Sequence, residues 1–250
     1  MNLSEFFRQN PKAAIAFSGG VDSAYLLYAA RKCGATVKAY YVKSPFQPQF
    51  ELEDAKRLAQ QLGAELKVIP VDVLCQNEVR SNPKDRCYHC KIIMFSHVLE
   101  AAKADGFDLI LDGTNASDDL SDRPGVKALR EYGVRSPLRE CGLTKEEIRL
   151  LSKEAGLFTW DKPAYACLAT RIPTGEVITP EKLVRTEAAE AYLSGLGLRD
   201  FRVRLMGSNA KIQVSPADLK LLMEHREDIV KKLKQSYGQV LLDLEVRNEQ

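Results

Sequence analysis

Short apolar runs alternate with amphipathic stretches along the first half of the chain. Runs rich in β-forming residues predict strands, and apolar residues recur at helical spacing between them. The predicted strands cover residues 13–17, 36–42, 65–71 and 109–111, and the predicted helices cover residues 23–32, 50–62, 88–104 and 146–155. This alternation is typical of an α/β fold with a parallel sheet, whose ligands bind beyond the carboxyl ends of the strands.

The pattern differs beyond the fourth predicted strand. Residues 113–139 are rich in Gly, Asp, Ser and Arg and predict an ordered binding loop, and residues 160–175 have little periodicity. Beyond them, helices are predicted over residues 181–196 and 217–235, and strands over residues 201–205, 211–214 and 240–244. We therefore predict two domains, an α/β domain over residues 1–175 and a small α+β domain over residues 176–250.

Composition narrows the class of protein. The 250 residues are 45% hydrophobic and 28% charged, with a formal net charge of +2, which argues against nucleic acid or a membrane surface as partner. No apolar run approaches the roughly 20 residues of a membrane span, and the N-terminus lacks the apolar core of a signal peptide. Six cysteines are too few for a disulfide scaffold. These features predict a cytoplasmic globular enzyme.

A glycine-containing loop joins the first predicted strand to the first predicted helix. Its residues are Ser18, Gly19, Gly20, Val21, Asp22 and Ser23. Glycines let backbone N–H groups approach an anion closely, and the helix N-terminus adds partial positive charge. Asp22 stands where it could hold a metal ion bound to phosphates. The string GxxxxGK[ST] of the Walker-type P-loop does not occur.

Three cysteines stand in distinctive settings. Cys87 and Cys90 share one face at the start of a predicted helix, and Cys167 lies in the segment with little periodicity. Three thiolates can hold three irons of a cubane cluster and leave the fourth iron open. They could also hold zinc with a fourth ligand such as His89, or be buried cysteines without a role in chemistry.

Two motifs resemble the ATP pyrophosphatase (PP-loop) superfamily, which includes GMP synthetase, NAD synthetase and tRNA thiolation enzymes. SGGVDS resembles its pyrophosphate loop, and the segment 112–118 resembles the DGTNxSD element that NAD and GMP synthetases place beside ATP. The resemblance implies an adenine nucleotide alpha hydrolase-like fold and cleavage of ATP between its α- and β-phosphates. It also implies ATP contacts from Gly113, Thr114, Asn115 and Asp118.

The wider set of motifs resembles the LarE family of ATP-dependent sulfur transferases. That set adds RCYHCK, SDRPGVKA, SPL and KPAYACLATRIPTG. The resemblance implies that ATP, with Mg²⁺, adenylates a carboxylate of pyridinium-3,5-biscarboxylic acid mononucleotide, and that sulfur then replaces AMP to give a thiocarboxylate. This is a step in nickel-pincer nucleotide cofactor biosynthesis. It also implies a homo-oligomer that assembles through the small domain.

Members of the LarE family differ in their sulfur source. One type gives up the sulfur of a single cysteine, at the position of Cys167, and another type holds a 4Fe-4S cluster with three cysteines. Because this chain has Cys87, Cys90 and Cys167, it resembles the cluster type, with Cys167 and Asp22 as catalytic residues. The sequence does not identify the sulfur donor.

Charged residues of the later motifs are candidates for substrate binding. Arg202 and Arg204 alternate on a predicted strand, so both face the same side and could clamp a phosphate, where the resemblance puts the substrate nucleotide. Arg123 and Arg171 lie in motif-matching loops and could bind the substrate carboxylate or ATP phosphates. Glu190 matches an acidic position near the substrate phosphate or a metal.

Other functions share parts of this pattern. A tRNA thiolase pairs the same loop with a three-cysteine cluster, although the chain lacks the zinc-finger cysteines or basic extension usual in those enzymes. An amidating ligase of the NAD synthetase type would use ammonia and would not need the cysteines. A nucleotide sensor would keep the ATP loop without turnover. Gln213 stands where an acidic residue is expected, which puts a metal site in the second domain in doubt.

Overall fold

The computed structural model describes residues 1–119 and 124–247. The chain divides into two compact units, each described by itself. The first unit comprises Met1–Val73 and Asp85–Lys162, and the second comprises Leu74–Lys84 and Pro163–Gln250. The predicted domain boundary between residues 175 and 176 stays a prediction.

The first unit is built on a parallel sheet. Its strands are β1 (Lys12–Ala16), β2 (Thr36–Lys43), β3 (Glu65–Pro70) and β4 (Ile110–Leu111). They lie in the order β3-β2-β1-β4, and each neighbouring pair is parallel. Ala13 and Ile15 of β1 pack with Leu26 and Leu27 in the buried core. The predicted α/β fold with a parallel sheet is confirmed.

The helices follow the apolar spacing of the sequence. In chain order they are α1 (Leu3–Gln9), α2 (Val21–Lys32), α3 (Gln49–Gln61), α4 (Asn77–Arg80), α5 (Arg86–Ala104), α6 (Pro124–Glu131), α7 (Pro137–Glu140), α8 (Lys145–Glu154), α9 (Pro180–Gly195), α10 (Pro216–Glu224) and α11 (Arg226–Leu233). Single 3₁₀ turns cover Val73–Cys75 and Leu168–Arg171. Of these helices, α4 and α9 to α11 belong to the second unit.

Two predictions of regular structure are wrong. The sequence predicts a loop over residues 113–139, but α6 lies within this segment and α7 begins in it. Ala128 and Leu129 bury the apolar side of α6. The single helix expected over residues 217–235 is two helices that meet at His225. Buried Leu222 and Ile229 keep helical spacing across the break, so the apolar pattern carries no sign of it.

The second unit has its own sheet and core. Its strands are β5 (Phe201–Met206), β6 (Asn209–Val214) and β7 (Val240–Leu242). A hairpin pairs β5 with β6 antiparallel, and β7 returns parallel to β6 after α10 and α11. Leu193 of α9 packs with Val203 and Ile212 in the core. This arrangement confirms the predicted small α+β unit at the C-terminal side of the chain.

Asp105, one residue past the C-terminal end of α5, joins that helix to two strands of the first unit. Its carboxylate pairs with Lys38 at 2.9 Å and Lys67 at 3.0 Å and accepts a hydrogen bond from the Tyr40 hydroxyl at 2.9 Å. The hydrogen bond from Lys38, followed by those from Lys67 and Tyr40, lowers the pKa of Asp105 well below its usual range.

This depressed pKa predicts a pH dependence of stability. A carboxyl whose pKa is lower in the folded state stabilises the fold above its unfolded pKa of about 3.9, and that contribution is lost as the pH falls through the folded pKa. Asp105→Asn is therefore expected to lower the melting temperature at pH 7, with a smaller difference from wild type below about pH 4. Thermal melts followed by circular dichroism test this, and a pH-independent difference would contradict it.

Candidate ATP site and cysteine loops

The loop between β1 and α2 has a shape that needs glycine. Gly19 has a φ of +75°, and a Cβ on it would lie 3.2 Å from the Cβ and backbone nitrogen of Ala55 in α3. Gly20 is the N-cap of α2 and provides no side-chain hydrogen bond to the helix. The N-cap residue of this twelve-residue helix therefore leaves the first N–H groups without a capping side chain, and such N–H groups can bind an anion.

Two serines close this loop on itself. The Oγ atoms of Ser18 and Ser23 lie 3.2 Å apart, and the Ser23 hydroxyl donates to the carbonyl oxygen of Gly20 at 3.2 Å. Ser23 is buried, whereas Ser18 is exposed. Ser23 therefore holds the loop in shape, and Ser18 stands at its surface.

Asp22 lies in the first turn of α2 and has two partners. Lys145 Nζ lies 2.5 Å from its Oδ2 atom, and the Asn115 side-chain amide donates to its Oδ1 atom at 3.3 Å. Lys145 begins α8, which has a capping box between Thr144 and Glu147. The sequence did not identify Lys145 as a site residue, because 123 positions separate it from Asp22.

The segment after β4 packs directly on the glycine loop. A Cβ on Gly113 would lie 2.9 Å from the backbone nitrogen of Ser23. The Asp118 carboxylate accepts from the backbone N–H of Asn115 at 2.9 Å, and Arg139 donates to the carbonyl oxygens of Asn115 and Asp118 at 3.1 and 2.8 Å. The two motifs predicted to contact ATP therefore meet at one edge of the sheet.

Asp112 anchors the same segment. Its carboxylate accepts hydrogen bonds from the hydroxyls of Thr114 at 2.5 Å and Ser136 at 2.6 Å. Thr114 thus has a partner inside the segment, and the SPL motif supplies Ser136. Arg123, predicted to bind substrate, lies outside the described residues.

Lys91 follows the paired cysteines on α5 and is a site residue that the sequence did not single out. Burial lowers its pKa, and the negative charge of Asp112 opposes this shift. A Cβ on Gly125 would lie 2.9 Å from the Lys91 Cδ atom, so α6 packs against this side chain. A half-buried ammonium group thus lies beside the ATP-contact segment of the first unit.

The two cysteines of α5 differ in exposure. Cys87 is exposed, and the Arg86 guanidinium donates to its Sγ atom at 3.6 Å. Cys90 is buried, with its Sγ atom 3.6 Å from Met94 Sδ. His89, between them, pairs with Asp85 at 3.2 Å. None of the six cysteines, all of them within the described residues, forms a disulfide.

Cys167 lies on a loop that the second unit holds firmly. It is the N-cap of the 3₁₀ turn Leu168–Arg171 and is half-buried. Arg171 is 1% exposed, and one of its nitrogens donates to the carbonyl oxygen of Ala166 at 3.0 Å and to the Thr170 hydroxyl at 2.7 Å. Residues 164–171 are called the cysteine loop. The side chain of Arg171, a residue of this loop, therefore anchors the loop through these hydrogen bonds.

Glu190 of α9 is the partner of that arginine. Arg171 Nε and Nη2 donate to the two Glu190 carboxylate oxygens at 2.8 and 3.0 Å, and the backbone N–H of Val203 donates to Glu190 at 2.8 Å. Burial lowers the pKa of Arg171, but the hydrogen bonds and charge of Glu190 outweigh burial and raise it. The predicted role of both residues in substrate binding stays a prediction.

Removing the charge of Glu190 is expected to destabilise the second unit. Glu190→Gln leaves the Arg171 guanidinium buried without a carboxylate, which typically costs about 3–5 kcal/mol. Urea unfolding measures the change, with Glu227→Gln as control because that residue pairs with Arg226 on the surface. A loss of about 1 kcal/mol or less, as for exposed ion pairs, would contradict the expectation.

The two arginines of β5 also contact the cysteine loop. Arg202 donates to the carbonyl oxygen of Ala164, and Arg204 donates to that of Thr170 at 2.9 Å. Burial lowers the pKa of Arg202 to about 10. Arg204 also donates to the Gln213 side-chain oxygen at 2.5 Å. A neutral amide thus stands beside Arg204, at the position where an acidic residue is expected. Both arginines lie on one face of β5, as predicted, and their phosphate-binding role stays a prediction.

The described residues contain neither a grouped metal site nor a membrane-spanning helix. No group of three or more His, Cys, Asp or Glu side chains among them is arranged to hold a metal ion. No helix in residues 1–119 and 124–247 is long and apolar enough to cross a membrane.

The sheet order and the SGGVDS loop define the first unit as a PP-loop domain of the ATP pyrophosphatase superfamily. Residues 12–86 match the family described as queuosine biosynthesis protein QueC. The chain is 32% identical over 237 residues to the pyridinium-3,5-bisthiocarboxylic acid mononucleotide synthase of Lactiplantibacillus plantarum, covering 93% of this chain and 86% of that enzyme. It therefore belongs to the family of that synthase.

Two further relatives are similar to this chain over different lengths. An uncharacterized protein of Synechocystis sp. is 40% identical over 225 residues, which is 89% of this chain and 84% of that protein. The tRNA-specific 2-thiouridylase MnmA of a Thermotoga species is 27% identical over 188 residues, which is 58% of this chain and 52% of that enzyme. The similarity to the synthase thus covers both units, and the similarity to the thiouridylase covers a smaller part.

Proposed function

We propose that the protein is an ATP-dependent sulfur transferase that converts a carboxylate of pyridinium-3,5-biscarboxylic acid mononucleotide into a thiocarboxylate. Its family relationship to the L. plantarum synthase supports the substrate, since the synthase's name describes a bisthiocarboxylic acid mononucleotide. The observation that carries the proposal is the close packing of the DGTN segment on the phosphate loop. The same chain holds Cys167 on a loop that Arg171 anchors.

In the first half-reaction, a substrate carboxylate oxygen attacks the α-phosphorus of ATP. The bond between the α-phosphorus and the oxygen that bridges to the β-phosphorus breaks, and pyrophosphate leaves. A bound Mg²⁺ would neutralise the charge of the pyrophosphate. The N–H groups at the start of α2 face the pyrophosphate, and Ser18 donates from the loop surface. Asp22 is the proposed protein contact for Mg²⁺.

Lys145 and Asn115 hold the Asp22 carboxylate in position for this role. Gly113 permits the close approach of the two ATP-binding segments. Lys91 adds positive charge beside the second segment, where a phosphate would be stabilised. These are contributions of the first unit alone.

The second half-reaction replaces AMP with sulfur at the acyl carbon. Cys87 and Cys90, one turn apart on α5, and Cys167 are the proposed ligands of a 4Fe-4S cluster. Such a cluster would supply the sulfide, carried on its open iron; as the new carbon–sulfur bond forms, the acyl–oxygen bond to AMP breaks, which gives a thiocarboxylate and AMP. Arg202 and Arg204 are proposed to hold the substrate phosphate. The second unit is proposed to join copies of the chain in a homo-oligomer.

Purification without oxygen, followed by assays for iron and acid-labile sulfide, tests the cluster. Wild type is expected to hold iron and sulfide in equal amounts, and Cys90→Ser is expected to lose them. Cys141→Ser is the matched control, because Cys141 lies outside the three motif positions. A wild-type protein that assembles no cluster, or a Cys90→Ser variant that keeps one intact, would contradict the cluster assignment.

Transfer RNA thiolation is the second candidate, supported by the partial similarity to the thiouridylase. Binding of bulk tRNA with a steep salt dependence would favour it, because phosphate contacts release counterions. The near-neutral net charge favours the small-molecule substrate.

A further inference from the structure

Arg247 lies beyond β7, at the end of the described chain. The backbone N–H of Asp243 donates to the carbonyl oxygen of Ile212 at 2.8 Å, and that of Arg247 donates to Val214 at 3.0 Å. These two hydrogen bonds hold residues 243–247 along β6. The Arg247 side chain is only 19% exposed, so it lies against the second unit.

The guanidinium group of Arg247 is linked to those of two other arginines. Its Nε atom donates to Asp200 Oδ1 at 2.9 Å, and Arg202 Nη1 lies 3.7 Å from the same oxygen. The ring of Tyr165 then joins Arg202 to Arg171, because their guanidinium groups lie 4.9 and 4.6 Å from its centroid. One carboxylate and one aromatic ring thus connect three arginines of the second unit.

The proximity of these positive charges shifts the pKa values of the β5 arginines. Burial is the largest cause that lowers the pKa of Arg202 and of Arg204, and the charges of Arg171 and Arg247 lower both further. Positive charge is therefore concentrated around β5, and binding of an anion there would relieve the repulsion.

The arginine cluster carries more positive charge than the carboxylates paired with it. It consists of four guanidinium groups, those of Arg171, Arg202, Arg204 and Arg247. Among the described residues, the carboxylates that pair with these groups are Glu190 and Asp200. Asp243 pairs instead with Lys211 at 2.7 Å. Four guanidinium groups against two carboxylates match the charge of a phosphate monoester, which is about −1.5 to −2 near pH 7.

Arg247 also has the donors that such an anion needs. Apart from the Nε contact with Asp200, its guanidinium group has no hydrogen bond within residues 1–119 and 124–247, so both Nη groups are available there. Arg202 differs, because both of its Nη atoms donate to backbone carbonyl oxygens. In the described part of the chain, Arg204 has one Nη group without a partner. The available fork of two donors is therefore that of Arg247.

We propose that Arg247, together with Arg204, binds the phosphate of the mononucleotide substrate and restricts the enzyme to phosphorylated substrates. This inference rests on the proposed function and adds a residue to the phosphate site proposed there. The two Nη groups of Arg247 donate to phosphate oxygens, and the Asp200 carboxylate holds the guanidinium plane in position. A nucleoside without the phosphate leaves this fork unused and the excess charge of the arginine cluster unneutralised.

Two variants separate the fork from the charge. Arg247→Met removes both, and Arg247→Lys keeps a charge without the forked geometry. Arg226→Met is the matched control, because Arg226 also pairs with a carboxylate, that of Glu227, but on the surface of α11. Thermal melts show which variants fold, and Arg247→Lys carries the test if Arg247→Met does not fold.

The first readout is release of pyrophosphate with two substrates, pyridinium-3,5-biscarboxylic acid mononucleotide and the corresponding nucleoside, which lacks the phosphate. In Arg247→Met the KM for the mononucleotide is expected to rise about 10- to 100-fold, because charge-assisted hydrogen bonds are lost. The kcat stays close to wild type, as for loss of uniform binding, and kcat/KM for the nucleoside is unchanged. Arg247→Lys is expected to lie between wild type and Arg247→Met.

The second readout is amide hydrogen exchange, which does not depend on turnover. The mononucleotide is expected to slow exchange of residues 200–206 in wild type and in Arg226→Met. At the same concentration it is expected to leave exchange of these residues unchanged in Arg247→Met. The nucleoside is expected to give no such protection in any of the proteins.

The outcomes distinguish this inference from the proposed function. A wild-type KM for the mononucleotide in Arg247→Met would overturn the inference, and so would an equal loss with mononucleotide and nucleoside, which would indicate a structural role. Absence of protection by the mononucleotide in wild type would also overturn it. If protection depends on Arg247 but wild type forms no thiocarboxylate, the phosphate site is supported and the proposed sulfur transfer fails.

Discussion

Cys167→Ser is expected to abolish thiocarboxylate formation while substrate-dependent release of pyrophosphate continues. A serine hydroxyl does not replace a thiolate as an iron ligand or as a sulfur source. The residues proposed for ATP activation lie in the first unit, whereas Cys167 lies in the second. Product analysis by mass spectrometry and a coupled pyrophosphate assay measure the two half-reactions separately.

The matched control for this substitution is Cys33→Ser, an exposed cysteine at the end of α2. It is expected to keep both half-reactions. Two results would contradict the assigned role of Cys167: thiocarboxylate formed by Cys167→Ser at the wild-type rate, or loss of both half-reactions in a variant whose thermal melt matches wild type.

Gly113→Ala is expected to abolish pyrophosphate release. Its new Cβ would lie 2.9 Å from the backbone nitrogen of Ser23 and 3.2 Å from Asp22 Cβ, so backbone must move apart to admit it. Displacement of reacting groups by about 1 Å can cost about 100-fold in rate. We therefore expect at least about a 100-fold loss in pyrophosphate release, measured at saturating ATP.

Gly195→Ala provides the control for Gly113→Ala. Gly195 is the last residue of α9, and a Cβ there meets nothing within 4 Å. This control is expected to be as active as wild type and slightly more stable, since alanine favours helix over glycine by about 1 kcal/mol. Wild-type activity in Gly113→Ala would show that the two ATP-binding segments do not need their close approach.

Local sequence signals were sufficient for the sheet and the phosphate loop. Strand runs and helix starts depend on residues within a few positions of one another, and the glycine loop needs only its own backbone shape. The resemblance to the ATP pyrophosphatase superfamily implied that the DGTN segment contacts ATP, as this loop does. The close approach of Gly113 to Ser23 shows that the two segments lie together.

Contacts between distant residues could not be read from the same signals. The sequence predicted the helix that Lys145 begins, but the pairing of Lys145 with Asp22 depends on how α8 packs against α2. Glu190 and Arg171 were recognised as charged motif residues, yet their burial against each other depends on the packing of α9 and β5. Tyr165 carried no charge pattern at all, and only the fold shows its place between two arginines.

The most direct test of the central claim is a reaction on anaerobically purified protein with ATP, Mg²⁺, a sulfide source and pyridinium-3,5-biscarboxylic acid mononucleotide. Mass spectrometry follows the mononucleotide, the nucleotide products and the peptide that contains Cys167. Sulfur transfer predicts a thiocarboxylate, with AMP and pyrophosphate formed in equal amounts and Cys167 unchanged after several turnovers. An amide product or a substrate that stays unmodified would contradict sulfur transfer, and a Cys167 converted to dehydroalanine would contradict the cluster as the source of the sulfur.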